Sequence, residues 1–241
     1  MKDQLCRALV CQDRVRLYIV RTTDMVQEAR DRFDLHPCAC AALGRTLSVG
    51  SIMGSMLKSD EEMLTITING HGPIGSIIVD AYHDGTVRGF CSNPHVEDVF
   101  LDKGKLNVGA VVGKDGNVQS AGAMIIQMLP DATEEDILIC EHLLQGLKPM
   151  STLMLDYDDM ELKDLVNDMF EDAKILDTSD VRYSCPCSKE RMANAISTLK
   201  DEEIQDMIDR DHGCHVTCNF CNERYDFSEE DLRKILESRN V

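Results

Sequence analysis

No run of apolar residues in this 241-residue chain approaches the roughly 18 needed to span a bilayer, and no apolar segment follows Lys2 and Asp3. These absences predict a cytoplasmic protein with no membrane partner. Basic residues are scarce, 25 Lys and Arg against 43 Asp and Glu, for a formal charge of −18. Capture of phosphate needs the opposite sign, so no nucleic-acid partner is expected. The chain also lacks a phosphate loop, a G-x-S-x-G elbow and a metal site with an open position. An ATP-driven machine or a hydrolase therefore has no residues to stand on, and the chain is expected not to be an enzyme.

The acidic excess is concentrated. Residues 1–130 carry 15 acidic and 13 basic side chains, residues 131–180 carry 15 and 3, and residues 181–241 carry 13 and 9. The middle fifty residues read as acidic helices: ATEEDILICEHLLQGL, with Thr133 and Asp136 spaced as a capping box, a helix from Ser151, and MELKDLVNDMFE. Their apolar positions, among them Ile137, Leu138, Leu144, Leu153, Leu155, Leu162, Leu165 and Phe170, call for a covering surface. Like charge on the opposite faces lowers the net gain from docking, which is the composition of a segment poised to detach.

Ahead of it, Val15, Leu17 and Ile19 alternate with polar neighbours, so the stretch from about Leu5 to Arg21 reads as a strand with one buried face. Thr22 or Thr23 is placed to cap the helix that follows. The run from about Cys38 to Leu57 holds Ala39, Ala41, Ala42, Gly44, Gly50, Ser51 and Gly54, small residues that suit a central packed helix. From Met63 the pattern turns to an antiparallel meander punctuated by Gly-Pro and Asp-Gly, and a further hairpin is expected around Lys114–Asn117. His71, His83 and His95 fall in or beside turns and read as solvated. The fold class is α+β: an amino-terminal antiparallel-sheet core with packed helices (1–130), an acidic helical linker (131–180) and a small carboxy-terminal module (181–241).

Eleven cysteines, an odd number, suit a reducing compartment in which thiols stay free or bind metal. Cys6, Cys11, Cys38, Cys40, Cys91 and Cys140 lie in apolar surroundings and read as buried thiols. The C-x-C spacing of Cys38 and Cys40 has no second pair nearby. In the last quarter the pattern differs. Cys185 and Cys187 in CPC precede Cys218 and Cys221 in CNFC, with 30 residues between the pairs. Each pair offers two sulfurs from one tight segment, the form of a tetrahedral four-cysteine zinc site. Tyr225 and Phe227 are placed to wall one side of the metal, and Cys214 could serve as a spare ligand or a wrong disulfide partner. Such a site has two uses. It can staple a module too small for a generous core, with on the order of 10 kcal/mol from metal binding. It can also sense oxidants, because converting thiolates to disulfides destroys the ligands. A thiol-disulfide oxidoreductase using Cys218 and Cys221 is an alternative that would want a βαβ context, which is missing here. A protein-interaction module with permanent zinc is another.

The stretch CPCSKERMANAISTLKDEEIQDMIDRDHGCHVTCNFCNERYDFSEEDL resembles the redox-switch domain of the heat shock protein 33 family of bacterial chaperones. The runs VRLYIVRTTDMVQEAR, AALGRT, GPIG, SNPHV and IIQMLP extend the resemblance over nearly the whole chain. It implies an ATP-independent holdase, silent while Cys185, Cys187, Cys218 and Cys221 hold Zn²⁺ and active once oxidative stress converts them to disulfides. The resemblance pairs neighbours, Cys185 with Cys187 and Cys218 with Cys221. It further implies that the linker unfolds, that unfolding client proteins are bound, and that the active form is a homodimer. One departure stands out: Gly109 and Ala110 join directly where family members carry a long further segment.

Overall fold

The computed structural model describes residues 2–97, 100–101, 105–106, 118 and 120–238, and it divides into two units, Met1–Ser184 and Cys185–Val241. The first alternating stretch is two strands, not one. β1 (Gln4–Val10) and β2 (Val15–Arg21) pair antiparallel, with Cys6 opposite Ile19 and Val10 opposite Val15. Their turn contains neither Gly nor Pro; Cys11, Gln12 and Asp13 all take positive φ, at 52°, 56° and 67°. Ordinary side chains in the left-handed region give no turn signal in sequence, which is why the break was hidden. Gln12 N–H is held by the Asp172 carboxylate at 2.7 Å.

Helix α1 (Thr23–Phe33) follows, with Thr22 at its N-cap, but the Thr22 hydroxyl turns away to Ser48 Oγ at 2.7 Å. The first-turn donors go instead to the buried Asp3 carboxylate, from Asp24 N–H at 3.1 Å and Met25 N–H at 2.6 Å. Helix α2 (Pro37–Gly54) is the central packed helix that its small residues predict. It touches β2 on one side and, on the other, a meander of β3 (Met63–Asn69), β4 (Ser76–Tyr82) and β5 (Val87–Cys91). A Cβ on Gly54 would stand 2.5 Å from the Tyr82 carbonyl oxygen, so only glycine admits this approach of helix to strand. A two-residue pair, β6 (Phe100–Leu101) and β7 (Lys105–Leu106), comes next. The hairpin expected at 114–117 and the Gly109–Ala110 junction lie outside the described residues.

β8 (Gly122–Met128) pairs with β2 along its whole length. The acidic segment then forms α3 (Glu134–Gly146), α4 (Met150–Asp156) and α5 (Leu162–Met169), but it does not end as helix. Residues 174–180 are a strand, β9 (Lys174–Asp180), which pairs with β1 and completes an antiparallel sheet of order β8-β2-β1-β9. With only Ile175 and Leu176 apolar, KILDTSD carries little strand propensity, and the pairing edge of β1 decides its conformation.

Cys6, Ala8 and Val10 of β1 and Val15, Leu17 and Ile19 of β2 face one way, and Leu153, Met154, Leu162, Leu165, Val166 and Phe170 cover them. Three arginines of the hairpin tie it to the acidic segment. Arg7 makes a two-pronged pair with Asp177, Arg14 does so with Asp136 at 2.7 and 2.8 Å, and buried Arg21 donates to the carbonyls of Tyr157 and Met160 at 2.6 and 2.9 Å. The expectation that every apolar position of the segment is covered fails on α3 and α4. Ile137, Leu138, Ile139, Leu144 and Leu155 are exposed, Leu138 by 63 %. Helix α3 is held along one line, through Asp136 and Cys140, and its remaining faces meet solvent.

The second unit contains α6 (Lys189–Ile196), α7 (Asp201–Asp209), the hairpin β10 (Gly213–Thr217) with β11 (Arg224–Ser228), and α8 (Glu229–Ser238). Ser228 and Asp231 exchange backbone-to-side-chain hydrogen bonds at 3.1 and 3.2 Å as a capping box. The core is small: Ile196, Ile204, Ile208, Phe227, Leu232 and Ile235.

Candidate metal centre

The β10–β11 connection carries the second cysteine pair. Cys218 N–H bonds to the Glu223 carbonyl at 2.9 Å, and the N–H groups of Cys221 and Asn222 turn back to the Cys218 carbonyl at 3.4 and 2.8 Å. Asn222, at φ 59°, supplies the left-handed residue that closes this knuckle. The first pair stands on the strand-like stretch entering α6, where Ser188 caps the helix by accepting Arg191 N–H at 3.2 Å. Pro186 fixes φ between the two thiols. The four sulfurs of Cys185, Cys187, Cys218 and Cys221 all lie within 4.8 Å of one another, an arrangement that could hold a metal ion. Contacts between the arms are close, with Cys185 Sγ 3.8 Å from Cys218 Sγ and Cys187 Sγ 3.2 Å from Cys221 Sγ. Cys218 and Cys221 are buried, whereas the Cys-Pro-Cys arm is partly open to solvent.

The charge of the cluster is unevenly shared. Burial works against a Cys187 thiolate, but hydrogen bonds from the Tyr225 hydroxyl and the neighbouring sulfurs outweigh it, and the pKa falls below the ordinary thiol value. Cys221 moves the other way, raised by burial and by its hydrogen bond with Cys187. Tyr225, whose Oη is 3.1 Å from Cys187 Sγ, is raised chiefly by that same bond. Tyr225 is thus a direct partner of one sulfur, and Phe227, two residues on along β11, is buried in the helical core. Lys189 ties the first arm to α8, 2.9 Å from Asp231 Oδ2 and 5.1 Å from the Phe227 ring centroid. The Tyr225 contact has only its aromatic position after C-x-x-C as a sequence signal, and Lys189 has none.

Cys214 does not join the cluster. It sits opposite Phe227 in the hairpin and packs against the helical core, where burial raises its pKa. Cys6, Cys11, Cys38, Cys40, Cys91 and Cys140 are buried and form no disulfide, as their surroundings predict. His95 is half exposed in its turn, with its ring 5.1 Å from that of His36 and Nε2 3.3 Å from Asp34. Among the described residues, no other cluster of histidine, cysteine and carboxylate has metal-binding geometry, and no helix is long and apolar enough to cross a membrane.

A family model described as Hsp33 protein matches residues 3–119 and again residues 114–228. The 33 kDa chaperonin of Bacillus cytotoxicus is 34% identical over 293 residues, covering 99% of this chain and 100% of the relative. That of Bacillus cereus is 35% identical over 294 residues, with the same coverage. Both alignments are longer than the 241 residues available, so these relatives carry residues that this chain lacks. The two family matches meet at residues 114–119, close to the Gly109–Ala110 junction. A crystal structure of the 33 kDa chaperonin (heat shock protein 33 homolog) from Thermotoga maritima superposes with a TM-score of 0.85 at 25% identity, covering 100% of this chain and 99% of that one.

Proposed function

Because the chain belongs to the Hsp33 family, we propose that it is a redox-regulated, ATP-independent holdase that captures unfolding proteins under oxidative stress. The observation that carries this reading is the convergence of Cys185, Cys187, Cys218 and Cys221 within 4.8 Å in a chain of this ancestry. In the division of labour we propose, residues 1–130 are the chaperone core, 131–180 the releasable linker and 181–241 the switch.

The four sulfurs suit Zn²⁺. Tetrahedral coordination with Zn–S bonds of about 2.3 Å needs sulfurs about 3.8 Å apart, against 3.2 and 3.8 Å between the arms here. Bound zinc would supply folding free energy to a unit whose own core is six buried side chains. The thiolate favoured at Cys187 lies on the more exposed arm, where an oxidant reaches first. Disulfide formation, in the family's pairing of Cys185 with Cys187 and Cys218 with Cys221, removes the ligands and the staple together. The linker then leaves the face of β1 and β2, uncovering Cys6, Ala8, Val10, Val15, Leu17 and Ile19. Client proteins bind this apolar surface, and the active form is a homodimer in the cytoplasm. No catalytic step is involved, and neither nucleic acid nor membrane is a partner.

A thiol-disulfide oxidoreductase would turn over disulfides through Cys218 and Cys221. An interaction module with permanent metal would keep its zinc under mild peroxide. The test is light scattering from an unfolding client without ATP, with the protein either zinc-loaded and reduced or peroxide-treated at elevated temperature, while a chromogenic chelator follows metal release. Suppression of aggregation only after oxidation, in step with zinc loss, is the expected result. Zinc retained and scattering unchanged in both states would refute the switch.

A further inference from the structure

Two cysteines outside the metal centre lie where the docked linker meets the β1–β2 turn. Cys11 lies in the left-handed turn between β1 and β2, and Cys140 lies on α3; both are buried in one cluster, near enough for each thiol to influence the other. The contact is held in place from both sides. Arg14, three residues after Cys11, is paired two-pronged with Asp136, one helical turn before Cys140, and Gln12 N–H is bound by Asp172. A turn and a helix fixed this closely leave the two sulfurs little room to part while α3 is docked.

We propose that Cys11 and Cys140 form a second redox-convertible thiol pair, whose disulfide pins α3 to the β1–β2 turn. With a peroxide as oxidant the chemistry balances. One sulfur attacks a peroxide oxygen, the O–O bond breaks, and a sulfenic acid and water result. The second sulfur then attacks the first, the S–S bond forms, the S–O bond breaks, and the departing hydroxide takes the remaining thiol proton as a second water. Two thiols lose two electrons and two protons in all.

The pair is built to react late. Burial, with Asp172 and Asp136 nearby, pushes the Cys11 thiol up to about 12, and burial raises Cys140 as well, so neither is a ready thiolate at neutral pH. The Cys-Pro-Cys arm of the cysteine cluster is partly open to solvent, whereas Cys11 and Cys140 are buried, so the arm meets an oxidant first. Release of α3 carries Cys140 away from Cys11, so bridging and release compete. Fast oxidation with heat favours release, whereas slow oxidation of a cool, docked chain favours the bridge. The bridge therefore acts as a brake, and this consequence rests on reading residues 131–180 as the segment that detaches.

The experiment treats the full, zinc-loaded chain with dilute hydrogen peroxide at low temperature. Non-reducing peptide mapping and amide hydrogen exchange over residues 134–146 are then read. A peptide linking Cys11 to Cys140 is expected, with α3 exchange at least about tenfold slower than in identically treated Cys11→Ser and Cys140→Ser. The oxidised wild type after re-reduction gives the same comparison without a variant that must fold. Complete oxidation of the four ligand cysteines with Cys11 and Cys140 still open to alkylation, or either one linked elsewhere, overturns the pair. A linked peptide with unchanged α3 exchange overturns the pinning. Failure of the holdase reading is seen separately, as client scattering unaffected in every variant, and leaves the peptide map to decide the bridge.

Discussion

The hydroxyl of Tyr225, 3.1 Å from Cys187 Sγ, is a donor aimed at a candidate ligand, and such partners tune a metal site as much as the ligands do. Tyr225→Phe keeps the ring and removes the donor. Zinc affinity measured by chelator competition should fall by about tenfold while the secondary structure is retained; an unchanged affinity would make the contact incidental. At the other end of the chain, burial pushes the Asp3 carboxyl up to about 7, against the opposing pull of N–H bonds from Met25 and Asp24. The folded chain then holds this proton up to about pH 7, whereas the unfolded chain releases it near 3.8. Asp3 therefore favours folding at low pH, and its contribution is lost as pH rises from about 4 to about 7, by at most on the order of 4 kcal/mol. Asp3→Asn retains an acceptor and removes the titration. Thermal melts should show the variant gaining on the wild type across that range, and parallel pH profiles would count against the shift.

At the scale of elements, the docking of α3 rests on the ion pair of Asp136 together with the packing of Cys140. Asp136 takes the Thr133 N–H at 2.8 Å, the Thr133 hydroxyl at 2.7 Å and the Arg14 guanidinium, and these partners, Arg14 first, hold its carboxyl well below the usual range. Its stabilising effect is present above about pH 4 and is lost only as pH falls further. Asp136→Ala keeps the Thr133 cap on its own N–H but removes the reciprocal half of the capping box and the Arg14 pair together. Amides of residues 134–146 should lose hydrogen-exchange protection while those of β1 and β2 keep theirs, and on the proposed mechanism the reduced variant should already suppress client aggregation. Protection unchanged in α3 would show that Cys140 packing alone holds it. This helix also marks how far sequence carries. The Thr133–Asp136 spacing gives its start, as Asp-Gly and Gly-Pro give the meander and C-x-C with C-x-x-C gives the four-cysteine cluster, because each is a local rule. What decides docking is not local. Arg14 reads as part of the polar half of an alternating strand and neither Arg7 nor Arg21 carries a local signal, yet the three supply the partners for Asp177, Asp136 and the α4 terminus. Strand β9, the Asp3 cap and the left-handed turn at Cys11 stayed illegible for the same reason: each is fixed by a partner far away in the chain.

For the molecule as a whole, the two units have very different means of staying folded. Met1–Ser184 has a four-stranded and a three-stranded sheet, helix α2 between them and an extensive buried cluster, and among its described residues no cluster has metal-binding geometry. Among the described residues of Cys185–Val241 the helical core is six buried side chains, two of them on α7 and two on α8; the Cys-Pro-Cys arm meets the knuckle and β11 through sulfurs and Tyr225, and α8 through Lys189. A core of that size is marginal against chain entropy, whereas a structural zinc site contributes on the order of 10 kcal/mol. Stripping zinc with a chelator at low temperature under reducing conditions, with no oxidant present, should therefore open the second unit alone, residues 131–180 staying docked until the chain is warmed. Limited proteolysis should cut within residues 185–238, first in the arm around Pro186 and in the knuckle, while a fragment up to Ser184 resists. The melting temperature of that fragment should match that of the larger unit in the zinc-loaded chain to within a few degrees. If the stripped second unit stays resistant, its helical core suffices, and loss of metal could not be what transmits oxidation to the linker. If both units become labile together, the staple supports more of the chain than its own module, and activation by chelation alone becomes the expected behaviour.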